Sequence, residues 1–82
     1  MPLQDLDRFG AMRAFAAVGQ RLSFAAAADE LGISPSALSR RIAQLEDLLG
    51  CRLLQRTTRR VTLTEAGALY LDRCIDILEH VL

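Results

Sequence analysis

Apolar positions along this chain fall into helical spacing nearly throughout, with one short interruption. Leu6, Phe9, Met12, Phe15, Ala16 and Val18 recur mostly three and four residues apart, which predicts a first helix over residues 5–18 with Gly19 as its stop. Ser23 is placed to cap a second helix from Phe24 to Leu31, and Gly32 offers a left-handed position just past its end. Ser34 caps a third helix, with Pro35 at the first position, where the missing amide hydrogen costs nothing. That helix runs to about Leu49 and stops at Gly50.

After Gly50 the pattern shortens. Cys51–Arg56 and Arg60–Thr64 are β-compatible, and Thr57-Thr58-Arg59 between them reads as a turn, so a two-stranded hairpin is expected. Thr64 then caps a fourth helix that continues to the end of the sequence. The expected fold is mainly α. It is a winged helix-turn-helix, three helices plus a short β-hairpin wing, over residues 1–63, and a long dimerisation helix follows over 64–82.

Ser23 to Leu49 reads as helix, three-residue turn, longer helix. Two helices crossing tightly need a small residue at the contact, which Ala27 or Ala28 supplies, and a turn residue free to take a positive φ, which Gly32 supplies. Leu31, Ile33, Leu38, Ile42 and Leu45 would fill the angle between them. At about 100° per residue, Leu38, Ile42, Leu45 and Leu49 share one stripe, a core face, and Ser36, Ser39, Arg40 and Ala43 lie broadly opposite. An idle surface helix would favour Glu and Lys there. Hydroxyls, one arginine and a methyl suit a helix entering the major groove of duplex DNA, and Arg40, able to bond guanine bidentately, is the first choice for base reading. On the wing, Arg56, Arg59 and Arg60 cluster, with Arg59 best placed to enter a minor groove or clasp a phosphate.

Net charge changes this picture only once it is resolved along the chain. Ten arginines, no lysine and ten acids sum to zero. Residues 1–33 carry three arginines and four acids, net −1; residues 34–62 carry six and two, net +4; residues 63–82 carry one and four, net −3. The middle third could meet a polyanion and the tail could not. Eighty-two residues hold one small domain, and no run approaches the roughly 18 apolar residues of a membrane span. No secretory signal is visible, and the two cysteines form neither a disulfide framework nor a metal-site spacing, so a cytoplasmic protein without metal or cofactor is expected. Cys51 is expected in the core and Cys74 in helix packing. His80 is expected as an exposed partner of Asp76; a Cys74–His80 pair lacks an orienting third group, and no enzymatic constellation is present.

Ser23-Phe24-Ala25-Ala26-Ala27-Ala28-Asp29-Glu30-Leu31-Gly32-Ile33-Ser34, continued by Pro35-Ser36-Ala37-Leu38-Ser39-Arg40-Arg41-Ile42, Leu45-Glu46 and Leu49-Gly50, resembles the N-terminal signature of LysR-type bacterial transcription regulators. The run from Leu53 through Arg56-Thr57-Thr58-Arg59-Arg60 to Thr64-Glu65-Ala66-Gly67 is similar to that family's wing and linker-helix start. The resemblance implies that Pro35, Ser36, Ser39 and Arg40 face the major groove, that Arg59 reaches the minor groove and that Arg56 approaches the backbone. The full candidate DNA-binding set is Ser34, Pro35, Ser36, Ser39, Arg40 and Ala43 with Arg56, Thr58, Arg59 and Arg60. One departure stands out: Ala25 occupies a position that is often Thr or Ser in the family, which puts one phosphate contact in doubt.

In the tail, Ala68, Leu71, Ile75, Leu78 and Leu82 are spaced as a heptad seam, flanked by Tyr70, Cys74, Ile77 and Val81. So wide an apolar stripe reads as an interface, and the resemblance implies that this helix dimerises. The candidate dimer contacts are Ala68, Leu71, Cys74, Ile75, Leu78, Val81 and Leu82. Two recognition helices about 34 Å apart would read an interrupted inverted repeat. The resemblance further implies a longer regulator with a C-terminal effector-binding domain and dimers of dimers in the full protein. Against this stands a second reading, a winged-helix interaction or dimerisation module that binds no DNA. Zero net charge favours it, with the helix arginines as a solvated face and the wing arginines as protection of an edge strand.

Overall fold

The computed structural model describes the backbone of residues 2–57 and 60–81 and the side chains of residues 9–57 and 60–80. Its elements run α1 (Pro2–Arg21), α2 (Phe24–Leu31), α3 (Pro35–Leu49), β1 (Leu54–Arg56), β2 (Val61–Leu63) and α4 (Glu65–Val81). α1 is the central post and packs on α2, α3 and α4. Met12, Ala14, Phe15, Ala16, Ala17 and Val18 are all buried, because neighbours surround the helix instead of lying against one face. Leu38, Ile42 and Leu45 of α3 close the core from one side, Leu53 and Leu54 from below, and Cys74 from α4. Phe15 and Tyr70 meet at 5.7 Å between ring centroids, tying α1 to α4.

The helix ends follow local rules. Ser23 accepts from the Ala26 amide and Ser34 from the Ala37 amide, each satisfying a donor that its helix leaves open. Gly32 and Gly50 sit at φ 71° and 73°, where a Cβ would crowd the backbone. Thr64 accepts from the Gly67 amide, and its own hydroxyl donates to the Arg52 carbonyl. The two strands pair antiparallel, with Leu54 opposite Leu63, Gln55 opposite Thr62 and Arg56 opposite Val61. Each is three residues long, shorter than the sequence suggests, since residues 51–53 are used in the turn out of α3.

Four expectations are corrected. Gly19 does not stop α1, which runs on to Arg21 and closes at Leu22 with φ 53°. Instead Gly19 is buried, and a Cβ there would lie 3.1 Å from both δ-carbons of Leu71; the glycine lets α4 approach. Leu49 is 39% exposed, because the core stripe of α3 ends one turn earlier, where the chain leaves at Gly50. Cys51 lies exposed in that same exit turn and is no core residue. Cys74 is fully buried inside the domain, so it cannot serve as a dimer contact.

The tightest junction lies where α3, β1 and α4 converge. The Glu46 carboxylate accepts from the amides of Leu53 (2.8 Å) and Leu54 (3.2 Å), and the Leu53 carbonyl accepts from the Thr64 amide (3.0 Å). The same carbonyl oxygen lies 1.9 Å from where a Cβ on Gly67 would stand, a distance no side chain survives. No described helix is long and apolar enough to cross a membrane.

Gly67→Ala should therefore destabilise the fold by about 1–3 kcal/mol or more, because backbone and not a mobile side chain must yield. Urea unfolding measures it, and an unchanged midpoint would refute the close approach. The cysteines give a second test. Burial raises the Cys74 thiol from 9.0 to about 11, with the Tyr70 hydrogen bond acting weakly the other way. A disulfide reagent at pH 8 should titrate Cys51 quickly and Cys74 only on unfolding. Because the folded chain holds the Cys74 proton more tightly than the unfolded one, this stabilisation is complete below pH 9.0 and is lost as pH rises through about 11. A Cys74→Ala variant should show a flatter decline in that window.

Candidate nucleic-acid interface

The first two turns of α3 form an exposed convex face beside the wing. Pro35 and Ser36 open it, exposed, and Arg40 and Ala43 continue it one and two turns on, also exposed. Ser39 lies on the edge nearer the wing and is half-buried. Ser34 is spent on capping: its Oγ accepts from the Ala37 amide and lies 3.3 Å from the Ser36 hydroxyl. By the same wheel that groups Ser36, Arg40 and Ala43, Asp47 follows on this face, exposed, and ends the stretch that a polyanion can approach. What reaches outward is small, hydroxylated and capped by one guanidinium.

The two neighbouring arginines of α3 go separate ways. Arg40 is exposed and has no hydrogen-bond or ion-pair partner among the described residues. Arg41 turns toward α1, its Nη1 lying 3.5 Å from the Cβ position of Gly10, in a cleft shared with Arg13, Glu30 and Ile33. Of the two, only Arg41 is placed against α1. Glu30, which could have neutralised this region, is held by Arg21 in an ion pair between α1 and α2.

Arg56 reaches back from the wing to the helix-turn-helix. Its guanidinium carbon stands 4.5 Å above the centre of the Phe24 ring, and its Nη1 donates to the Ser39 hydroxyl at 2.8 Å. It thus joins the wing to both helices of the helix-turn-helix. An exposed cation over an aromatic face contributes about 0.5–1 kcal/mol. Phe24, which the sequence marks only as the start of a helix, is the plate on which this arginine rests. No local pattern signals that role, because the two residues are brought together only by the folding of the wing.

At the wing tip the Thr57 amide donates to the Arg60 carbonyl (2.9 Å) and the Arg60 amide to the Thr57 hydroxyl (3.1 Å), which closes the turn. Arg60 is exposed beside it. Thr58 and Arg59, expected at the tip, lie outside the described residues. Glu46 is the other residue whose role the sequence conceals: counted there as a charge, it is the carboxylate that anchors the start of the wing to α3.

On α4 the expected seam is largely occupied by the domain itself. Leu71 and Leu78 are half-buried against the core and Ile75 is half-buried, whereas Ala68 is exposed. The side chain of Val81 and all of Leu82 lie outside the described residues. The apolar groups that α4 presents outward include Leu69, 67% exposed, and Ile77, 43% exposed. His80 sits exposed with its Nδ1 2.7 Å from the Asp76 carbonyl and 3.5 Å from the Asp76 carboxylate, as expected.

Residues 9–68 match the family model described as bacterial regulatory helix-turn-helix protein, lysR family. The HTH-type transcriptional regulator DmlR of Escherichia coli (strain K12) is 46% identical over 79 residues, which are 96% of this chain and 26% of that protein. The regulator PerR of the same organism is 52% identical over 61 residues, 74% of this chain and 20% of that protein. The chain thus spans about a quarter of such relatives or less. Among solved structures, the BenM DNA-binding domain in complex with catB site 1 DNA superposes with a TM-score of 0.86 at 40% identity, covering 89% of this chain and 81% of that one. Full-length CbnR in complex with its target DNA superposes with a TM-score of 0.82 at 38% identity, covering 87% of this chain and 25% of that one. Sequence signature, winged helix-turn-helix and superposition agree: the chain belongs to the LysR family of bacterial regulatory helix-turn-helix proteins.

Proposed function

We propose that this chain is the sequence-specific, double-stranded DNA-binding module of a LysR-type transcription regulator, with residues 1–63 binding DNA and residues 64–82 acting as linker and dimerisation helix. The observation that carries it is the exposed opening face of α3, small and hydroxylated around Arg40, which has no partner among the described residues. Such a surface has no packing role to fulfil, and its groups match what base edges in a major groove offer. The net +4 of residues 34–62 falls on the same part of the fold. Similarity to two proteins solved in complex with DNA supports the same reading.

In this reading Pro35, Ser36, Ser39, Arg40 and Ala43 meet the major groove, and Ser34 holds the helix start in register. Arg60, with Thr58 and Arg59 at the wing tip, meets the minor groove or its phosphates, and Arg56 stays near the backbone. Two copies paired through α4 would present two α3 helices to an interrupted inverted repeat about one helical turn apart. Exposed Leu69 and Ile77, together with Ala68 and Ile75, supply the apolar surface for that pairing, and Leu71 and Leu78 support it from within. A regulator built on this module would act in the cytoplasm and carry an effector-binding domain after α4, with dimers pairing further in the full protein. The module itself reads DNA and performs no catalysis.

Fluorescence anisotropy on duplexes selected from a random pool tests this. Arg40→Ala should cost about 1–3 kcal/mol and relax sequence preference at one position, whereas Arg60→Ala should weaken all sequences evenly and lower the salt slope by about 1. Wild-type protein that shows no salt-dependent binding would leave an interaction module in its place. Sedimentation at high micromolar concentration should find a dimer that Leu69→Glu weakens. A monomer throughout would remove α4 as the pairing element.

A further inference from the structure

Ser39 and Arg56 are both assigned above to DNA, yet the structure spends one on the other. The Arg56 Nη1–H donates to Ser39 Oγ at 2.8 Å, and Arg56 is kept there by the Phe24 ring beneath it. A serine hydroxyl is ambivalent, with one proton to give and two lone pairs to accept with, and it ordinarily rotates to suit its partner. Here an arginine, which can only donate, occupies one of the two lone pairs, and its positive charge disfavours a second donor at the other. No other partner of Ser39 is present among the described residues, so its proton remains to be given.

We propose that Arg56 acts as a positioning residue that polarises Ser39, fixing its hydroxyl as a hydrogen-bond donor toward DNA and thereby determining which base edge Ser39 accepts. The inference rests on α3 entering the major groove and deepens that reading by one operator position. Guanine offers N7 and O6, adenine N7 and thymine O4 as acceptors in that groove, whereas cytosine offers only its amino group, a donor. A hydroxyl biased toward donating meets guanine, thymine or adenine, whereas at cytosine it must accept a second donor beside a guanidinium. Without Arg56 the hydroxyl regains its freedom to accept and tolerates cytosine. The arginine therefore influences specificity without touching the base, and its remaining N–H groups stay available for a phosphate.

The polarity is visible in operator selection. Random duplex pools are selected with wild type, Ser39→Ala, Arg56→Met and the double variant, and the base frequencies compared position by position. Wild type should disfavour cytosine at one position by about five- to tenfold, the equivalent of one hydrogen bond. Ser39→Ala should abolish that bias. Arg56→Met should reduce it to about twofold while leaving the other positions intact, and the double variant should match Ser39→Ala, because Arg56 acts through Ser39. If Arg56→Met weakens binding evenly with an unchanged base profile, or if the two effects add, Arg56 is a phosphate contact only and the proposal is overturned. Wild type that selects no sequence overturns both this and the DNA-binding reading; the former outcomes leave that reading standing. Arg56→Met also removes the cation from Phe24, so a second measurement uses a milder variant in the free protein. The guanidinium proton resonances of Arg56 should shift and exchange faster in Ser39→Ala than in wild type, and identical spectra would refute the bond.

Discussion

The recognition surface of this small domain depends on where the backbone of Leu53 is held. Its amide donates to the Glu46 carboxylate, its carbonyl accepts from the Thr64 amide and fills the space over Gly67, and its side chain is buried. Three elements are fixed by one residue: the end of α3, the first strand of the wing and the start of α4. The charge-assisted bonds from Glu46 are of the stronger kind, and a contact of backbone with backbone has no rotamer through which to relax. If this point shifts, the wing moves relative to α3 and the arginines it carries lose their place beside the helix.

With that frame in place, the arginines divide their labour by surroundings. Arg21 neutralises Glu30 between two helices, Arg41 covers the cleft beside Gly10, and Arg56 rests on Phe24 and bonds Ser39. Arg40, exposed on the opening face of α3, has no hydrogen-bond or ion-pair partner among the described residues. A protein of zero net charge can thus offer a polyanion a locally positive surface, since the neutralising acids Asp72, Asp76 and Glu79 lie on α4.

α4 serves two masters. Its buried side, Gly67, Cys74 and the half-buried Leu71 and Leu78, completes the core around α1, with Gly19 shaped to receive Leu71. Its outward side still carries Leu69 and Ile77. An amphipathic stripe of about half the helix circumference is wider than one neighbour covers, so the same helix can close its own domain and keep apolar surface for another. This couples any pairing through α4 to the position of the domain on DNA, because no flexible segment separates the two.

Much of this architecture was legible in the residues in order. Ser23, Ser34, Gly32, Gly50 and Thr64 determine where helices begin and end because capping is local: a hydroxyl reaches an amide three residues on, and glycine alone takes a positive φ freely. The stripe of Leu38, Ile42 and Leu45 and the exposed face bearing Arg40 follow from helical period for the same reason. What lay beyond the sequence was every relation between residues far apart in it. The roles of Gly19 and Gly67 as points of close approach, of Glu46 as an anchor, of Phe24 as a plate and of Arg56 as its cation exist only once α4 and the wing have folded back. The same holds for burial, where Cys51 and Leu49 at the end of α3 turned out exposed and Cys74 in the middle of α4 enclosed. Periodicity says which face of a helix is apolar, but only packing decides whether that face meets its own domain, a second copy or water.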